Sequence, residues 1–181
     1  MAPREPLTAY YQPVDDQKTM NRNSTVESSG VRVFPPVIYG TGIGIGYLLH
    51  WWWPLRPMPV GSGFALVTHV VGWMFIAASI ILPIWAARLF HRAGTTPNPM
   101  RPTTALVFTG PYRFTRNPMY LGLALLQAGL AMVTNALWPL LMLAPVLVAV
   151  RRLVIDREER YLEAKFGDEY RAYKARVQRW L

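Results

Sequence analysis

The sequence predicts an all-α integral membrane protein with about four transmembrane helices and a C-terminal amphipathic helical tail in the cytoplasm. Two observations carry that prediction. Apolar residues make up 52% of the chain and charged residues only 16%, where a soluble domain carries nearer ~25%. The charges are also absent from long runs and collect at the ends of those runs, where they are mostly basic, for a formal net charge of +9. A basic balance suits nucleic acid or an anionic lipid surface, and its position beside apolar runs favours lipid. The 181 residues are enough for one domain. There are no cysteines, which excludes disulfides, thiolate metal sites and cysteine nucleophiles, and no metal site is expected.

Residues 1–32 are polar, with Pro3, Pro6, Pro13 and a Ser/Asn/Thr cluster over 21–29. They bury too little surface to fold alone and are read as a loosely ordered cytoplasmic N-terminus. They lack the early apolar core of a cleavable signal peptide. Residues 33–90 hold two transmembrane helices. The first span, about 33–53, carries Gly40, Gly42, Gly44 and Gly46, and small residues at i and i+4 let helix backbones approach closely in lipid. A phosphate-binding reading of these glycines lacks a preceding strand and a following Lys-Ser/Thr. Trp51, Trp52 and Trp53 suit a membrane–water boundary. The second span, about 64–89, has no charge before Arg88 and is long enough to cross with tilt. His69 within it reads as a hydrogen-bonded packing residue rather than a proton relay, and Pro83 is expected to kink the helix near its end.

Residues 91–181 are the expected catalytic part: a cofactor-binding loop, a transmembrane hairpin and a cytoplasmic helical tail. The third run, about 118–134, covers only about 25 Å, slightly less than a bilayer core. The fourth runs over about 137–155, with Asn135 and Ala136 as a tight connection. Arg88, Arg92, Arg101, Arg113 and Arg116 lie between the second and third spans, and the tail after Ile155 is also basic. The loop between the first two spans has only Arg56, and the hairpin tip has no basic residue. The positive-inside rule then puts both termini and the central segment in the cytoplasm, and in a bacterium the membrane is the inner one.

The chemistry-bearing residues all fall on that cytoplasmic side. Asn is a preferred N-cap and Pro a preferred first helical residue, so Asn117-Pro118 predicts the start of the third helix. Its free N–H groups and positive dipole end, next to Arg113 and Arg116, suit a carboxylate or phosphate. The same arginines can equally be topology anchors touching lipid headgroups. Glu158 and Glu159 follow the fourth span closely. Neighbours on a helix point about 100° apart, so one of them is expected to face a shared site. Either can instead belong to a solvated face, Glu159 pairing with Lys165. Gly167 is expected to end that helix as a left-handed cap, with Asp168 capping the next. Phe166, Tyr170 and Tyr173 share one face of the tail and read as packing rather than as a cofactor box.

Two blocks of the chain together resemble the isoprenylcysteine carboxyl methyltransferase and phospholipid N-methyltransferase superfamily. They are Gly110-Pro111-Tyr112 with Arg116-Asn117-Pro118-Met119-Tyr120-Leu121-Gly122, then, after a hydrophobic hairpin, Glu158-Glu159 before Phe166-Gly167 and Tyr170. The resemblance spans about 95–176. It implies S-adenosylmethionine bound at the cytoplasmic membrane surface, and methyl transfer, to oxygen or nitrogen, onto a lipid or other lipophilic substrate. It implies that Thr104, Ala105, Leu106 and Val107 line the cofactor, largely through backbone, with Tyr112 as a further contact. Asn117, Pro118, Met119 and Tyr120 would form the part of the pocket at the helix start, and Glu158 matches the family carboxylate. Arg116, Glu158 and Glu159 are the catalytic candidates. Arg116 would orient an anionic substrate or the cofactor carboxylate, and Glu158, Glu159 or Tyr120 would assist an amine nucleophile. The isoprenylcysteine enzymes carry Arg-His-Pro where this chain has Arg116-Asn117-Pro118, and an arginine where it has Val154. Asn-Pro-Met-Tyr occurs in phospholipid methyltransferase-like members, so the resemblance implies that cofactor binding survives the first departure, while the second, with Arg151 one turn further back, weighs against an isoprenylcysteine carboxylate as acceptor. Two other readings remain: an NADPH-dependent sterol-reductase-like membrane enzyme, and a non-catalytic membrane scaffold.

Overall fold

The computed structural model describes residues 31, 33–59, 61, 63–95 and 103–180. The expectations for residues 1–30, for Arg32 and for Arg101 lie outside the described residues. Among the described residues the chain is helical, with no β-strand. The helices are α1 (Pro35–Trp52), α2 (Gly63–Arg92), α3 (Pro118–Val133), α4 (Leu137–Leu141), α5 (Leu143–Val150), α6 (Asp156–Phe166) and α7 (Asp168–Arg176).

Two helical runs of 30 residues are long and apolar enough to cross a membrane, Gly63–Arg92 and Leu137–Phe166. Only 11% of the apolar window of the first is buried, and 28% of the second. A core helix of a soluble protein would be mostly buried, so these faces suit lipid. Phe64, Leu66, Val67, Trp73, Met74 and Ile81 are all exposed along α2. Pro118–Val133 is apolar but shorter, and Pro35–Trp52 has 18 residues.

The chain divides into two compact units. The first comprises Val33–Pro83 and Met119–Ile155. Its packing rests on close backbone approach. A Cβ at Gly42 would collide with Val146, and one at Gly46 would lie 2.5 Å from Pro139 Cα. Gly40 and Gly44 face open space. Of the two interleaved glycine pairs, only Gly42 and Gly46 therefore serve helix contact. Gly129 and Gly72 make a second close approach: a Cβ on Gly129 would come within 2.7 Å of the Gly72 carbonyl.

Polar side chains in this unit are spent on such contacts. Gln127, fully buried, donates to the Pro139 carbonyl at 2.9 Å. The Tyr39 hydroxyl donates to the Tyr120 carbonyl at 3.0 Å. His69 accepts from Trp73 Nε1 at 3.1 Å and lies 3.2 Å from the Val133 carbonyl. That pairing puts the proton on Nδ1 and makes His69 a packing residue. Asn135 turns the hairpin with φ of 49°, a conformation Asn tolerates better than most residues. Its side chain exchanges two hydrogen bonds with the Met58 backbone, at 2.7 and 3.1 Å.

The fourth apolar run is not one uniform helix. It breaks at Met142, which puts Pro145 in the first turn of α5, where a missing N–H costs nothing. Residues Arg151–Ile155 then form a π turn. A π turn inserts one residue and rotates every later side chain by about 100°.

Candidate functional site

The second compact unit comprises, among the described residues, Val31, 84–95, 103–118 and 156–180. It gathers the central loop and the tail, which are far apart in sequence. The tail packs through its aromatic stripe. Tyr170, Tyr173 and Leu106 form a buried cluster against Phe108, Leu162, Phe166 and Val177. The Tyr173 hydroxyl donates to the Tyr112 carbonyl at 2.8 Å. The stripe is packing, as its spacing suggested. Gly167 lies between α6 and α7 with φ of 56° and ψ of −125°, a positive φ that favours glycine although not a left-handed helical one. Asp168 is the first residue of α7 and pairs with Arg171 at 2.7 Å.

Helix α3 starts at Pro118, as predicted. The Asn117 side-chain amide, however, donates to the Arg179 carbonyl at 2.9 Å. Thr115 Oγ1 donates to the same carbonyl at 3.1 Å, and the Arg116 N–H donates to Gln178 O at 3.0 Å. The end of the chain is thus laced to the three residues that precede α3.

The same residues build a charge cluster. Glu159 is buried, with 6% exposed. Arg179 grips it with two hydrogen bonds, Nε to Oε1 at 3.0 Å and Nη2 to Oε2 at 2.6 Å. Arg179 also pairs with Asp156 at 3.0 Å. Arg116 Nη1 lies 3.1 Å from Glu159 Oε1, with its side chain only 10% exposed. This is an ion pair without hydrogen-bond alignment: Nη1 and Nε of Arg116 are buried and have no hydrogen-bond partner among the described residues. The hydrogen bond to Glu159 holds the Arg179 guanidinium above its ordinary pKa, against the opposing pull of burial. Lys174 stands 4.0 Å from Glu159 and 3.2 Å from Glu163. Glu159 thus turns inward to Arg116 and Arg179, and the Lys165 amine hydrogen-bonds Tyr161 instead.

Glu158 is half-buried one position earlier on α6. Burial pushes the Tyr112 hydroxyl well above its ordinary pKa, and the charges of Tyr173 and Glu158 add to the rise. Glu158 and Tyr112 therefore share a neighbourhood. The Phe90 ring meets Tyr112 edge-on at 5.4 Å between centroids. On the loop, Thr104 is exposed, its N–H donating to Thr95 Oγ1 at 3.0 Å. Ala105, Leu106 and Val107 are buried, and Leu106 is committed to the tyrosine cluster. The Thr103 N–H donates to Tyr161 Oη at 3.2 Å. Pro118 is buried at the head of α3. Met119 and Tyr120 belong to the first compact unit, Met119 half-buried and Tyr120 buried.

Arg116, Asn117, Tyr112, Glu158 and Glu159 are thus assembled in one unit. Sequence reasoning missed Arg179, Asp156 and Thr115. Arg179 carried no signal beyond its place in a basic tail, because its partners lie 20 and more positions away.

The family model described as phospholipid methyltransferase matches residues 67–169, more than half of the chain. A curated protein of Haemophilus influenzae, described only as uncharacterized, is 57% identical over 35 residues. That stretch covers 19% of this chain and 56% of the relative, so the chain matches little over half of that protein's length. No solved structure matches.

Proposed function

This chain belongs to the phospholipid methyltransferase family, within the superfamily that includes the isoprenylcysteine carboxyl methyltransferases, and from that premise we propose that it methylates a lipophilic acceptor at the cytoplasmic membrane face using S-adenosylmethionine. Both termini and the central segment lie in the cytoplasm in this reading, as the distribution of arginines favours, with four crossings.

The observation that carries the reading is Arg116. A guanidinium that is nine-tenths buried should have its N–H groups satisfied, yet Nε and Nη1 have no hydrogen-bond partner among the described residues. It stands two residues before the start of α3, where free N–H groups and the helix dipole also attract an anion. The carboxylate of the methyl donor fits that donor set. Glu158, near the Tyr112 phenol, suits the donor's ammonium and ribose hydroxyls, and the backbone over 104–107 with Tyr112 suits the adenine. When bound, S-adenosylmethionine supplies a sulfonium methyl: the acceptor's lone pair forms the new bond to carbon, the carbon–sulfur bond breaks, and its electrons stay on sulfur. The protein aligns donor and acceptor and keeps water out. Arg116 fixes the anionic end, Asn117 shapes the loop before α3, and Glu159 holds Arg116. Glu158 can take the proton lost by an amine. Val154, fully buried in the π turn, offers no charge for an isoprenylcysteine carboxylate, which favours a phospholipid amine or another neutral-headed acceptor.

The test is mass spectrometry of lipid extracts incubated with the purified protein and methyl-labelled S-adenosylmethionine. Label in a lipid species is expected, with the yield falling at least about tenfold in Glu158→Gln and Asn117→Ala, while both variants stay folded in detergent. Unlabelled lipids, or equal labelling by both variants, would count against the proposal.

A further inference from the structure

Arg179 and Arg116 compete for one carboxylate. Glu159 is buried between them, and its Oε1 lies 3.0 Å from Arg179 Nε and 3.1 Å from Arg116 Nη1. Arg179 has won: its fork takes both oxygens of Glu159, the strong bidentate geometry for this pair. Arg116 is left with an unaligned approach to Glu159 and two buried nitrogens, Nε and Nη1, that have no hydrogen-bond partner among the described residues, while its guanidinium hydrogen-bonds Tyr170. Asp156 balances the second positive charge by pairing with Arg179 at 3.0 Å. The contest is local to one compact unit, and the carbonyl of Arg179 is fixed there by Thr115 and Asn117.

We propose that Arg179 is a positioning residue of the methyl-donor site: by occupying Glu159, it keeps the guanidinium of Arg116 available to the donor's carboxylate. The inference rests on the methyl-donor reading given above. Its physical content is an exchange of partners. Without the Arg179 fork, Glu159 would be a buried carboxylate with free lone pairs beside Arg116, and the two would close into their own bidentate pair. Arg116 would then be lost to any bound anion, with the fold around it retained. Glu159 is thus both the support of Arg116 and the group that can disable it. The sequence could not show this, because Arg116 and Glu159 look alike whether paired or held apart.

The test uses the full chain in detergent and two probes: S-adenosylhomocysteine, which carries the amino-acid carboxylate, and methylthioadenosine, which lacks it. Arg179→Gln should weaken S-adenosylhomocysteine about 10- to 100-fold, the worth of a hydrogen bond to a charged group. Its affinity for methylthioadenosine should stay within about threefold of the parent, within the scatter of measured contributions. Glu159→Gln added to Arg179→Gln should recover at least half of the loss on a logarithmic scale, because a neutral amide no longer captures Arg116. A purely structural role for Arg179 predicts that both probes weaken together and that the double variant is worse. Either of those results, or unchanged S-adenosylhomocysteine affinity in Arg179→Gln, overturns the proposal while the methyl-donor reading stands. A parent that binds neither probe overturns that reading and the proposal with it.

Discussion

Burial holds the Tyr170 hydroxyl up at about 12, the Glu159 charge adding to the rise and the Arg116 charge and hydrogen bond opposing it. Burial likewise raises Tyr112 and Tyr173. A group whose folded pKa lies above its unfolded value gives its stability in full below the unfolded value and loses it as pH climbs through the folded one. The tail cluster should therefore stay docked up to pH 10, the ordinary tyrosine value, and come apart as pH rises from there through about 12. The tyrosinate absorbance of the parent minus that of Tyr170→Phe should show a midpoint near 12. A midpoint at the ordinary value of 10 would mean that Tyr170 is not buried against the tail cluster. At this scale the sequence was legible where chemistry is local. Asn117-Pro118 marked the start of α3 because capping and φ preferences act over two residues, and the tyrosine stripe marked a packed face because the period is short. The destination of the Asn117 amide was not legible, since the Arg179 carbonyl comes from 62 positions away. The sequence marks Glu158 and Glu159 together and carries nothing that tells which of them turns inward.

That choice was decided at the scale of elements. Within α6 it is Glu159, and not its neighbour, that is the buried carboxylate. Nothing in Arg-Arg-Leu-Val-Ile announces an extra residue per turn, so counting along a straight helix cannot fix the phase. Helix ends were closer to the surface of the sequence. The bounds of the apolar runs 33–53 and 118–134 agree with the helices Pro35–Trp52 and Pro118–Val133 to within two residues, because Pro, Trp and Asn punctuate them. The glycine ladder of α1 was legible as a packing device, but the face it uses was not. Gly46 sits against Pro139 backbone, which cannot give way, while Gly44 faces open space. Gly46→Ala should therefore destabilise by about 1–3 kcal/mol, the usual cost of overpacking. Gly44→Ala should be neutral or stabilise by up to about 1 kcal/mol, as Ala replaces Gly in a helix. Thermal unfolding in detergent checks the pair, and equal effects of the two would contradict this assignment of faces.

At the scale of the molecule, composition and charge placement were enough to predict an all-helical chain bound to a membrane, because apolar runs of this length have few other uses. The organisation into two compact units was not legible. Each unit joins segments from both halves of the chain, and a single sequence carries no record of which distant segments meet. The consequence for function is that the central loop and the tail, separated by a hydrophobic hairpin, contribute to one unit that contains Arg116, Asn117, Tyr112 and Glu158. A family match over 67–169 takes in that loop and α6 but stops short of Arg179. The central claim is that this unit holds a sulfonium methyl donor, and calorimetry of the purified parent with S-adenosylhomocysteine and, separately, with NADPH tests it most directly. Saturable binding of S-adenosylhomocysteine with none of NADPH is the expected result. Saturable NADPH binding with none of S-adenosylhomocysteine would contradict it.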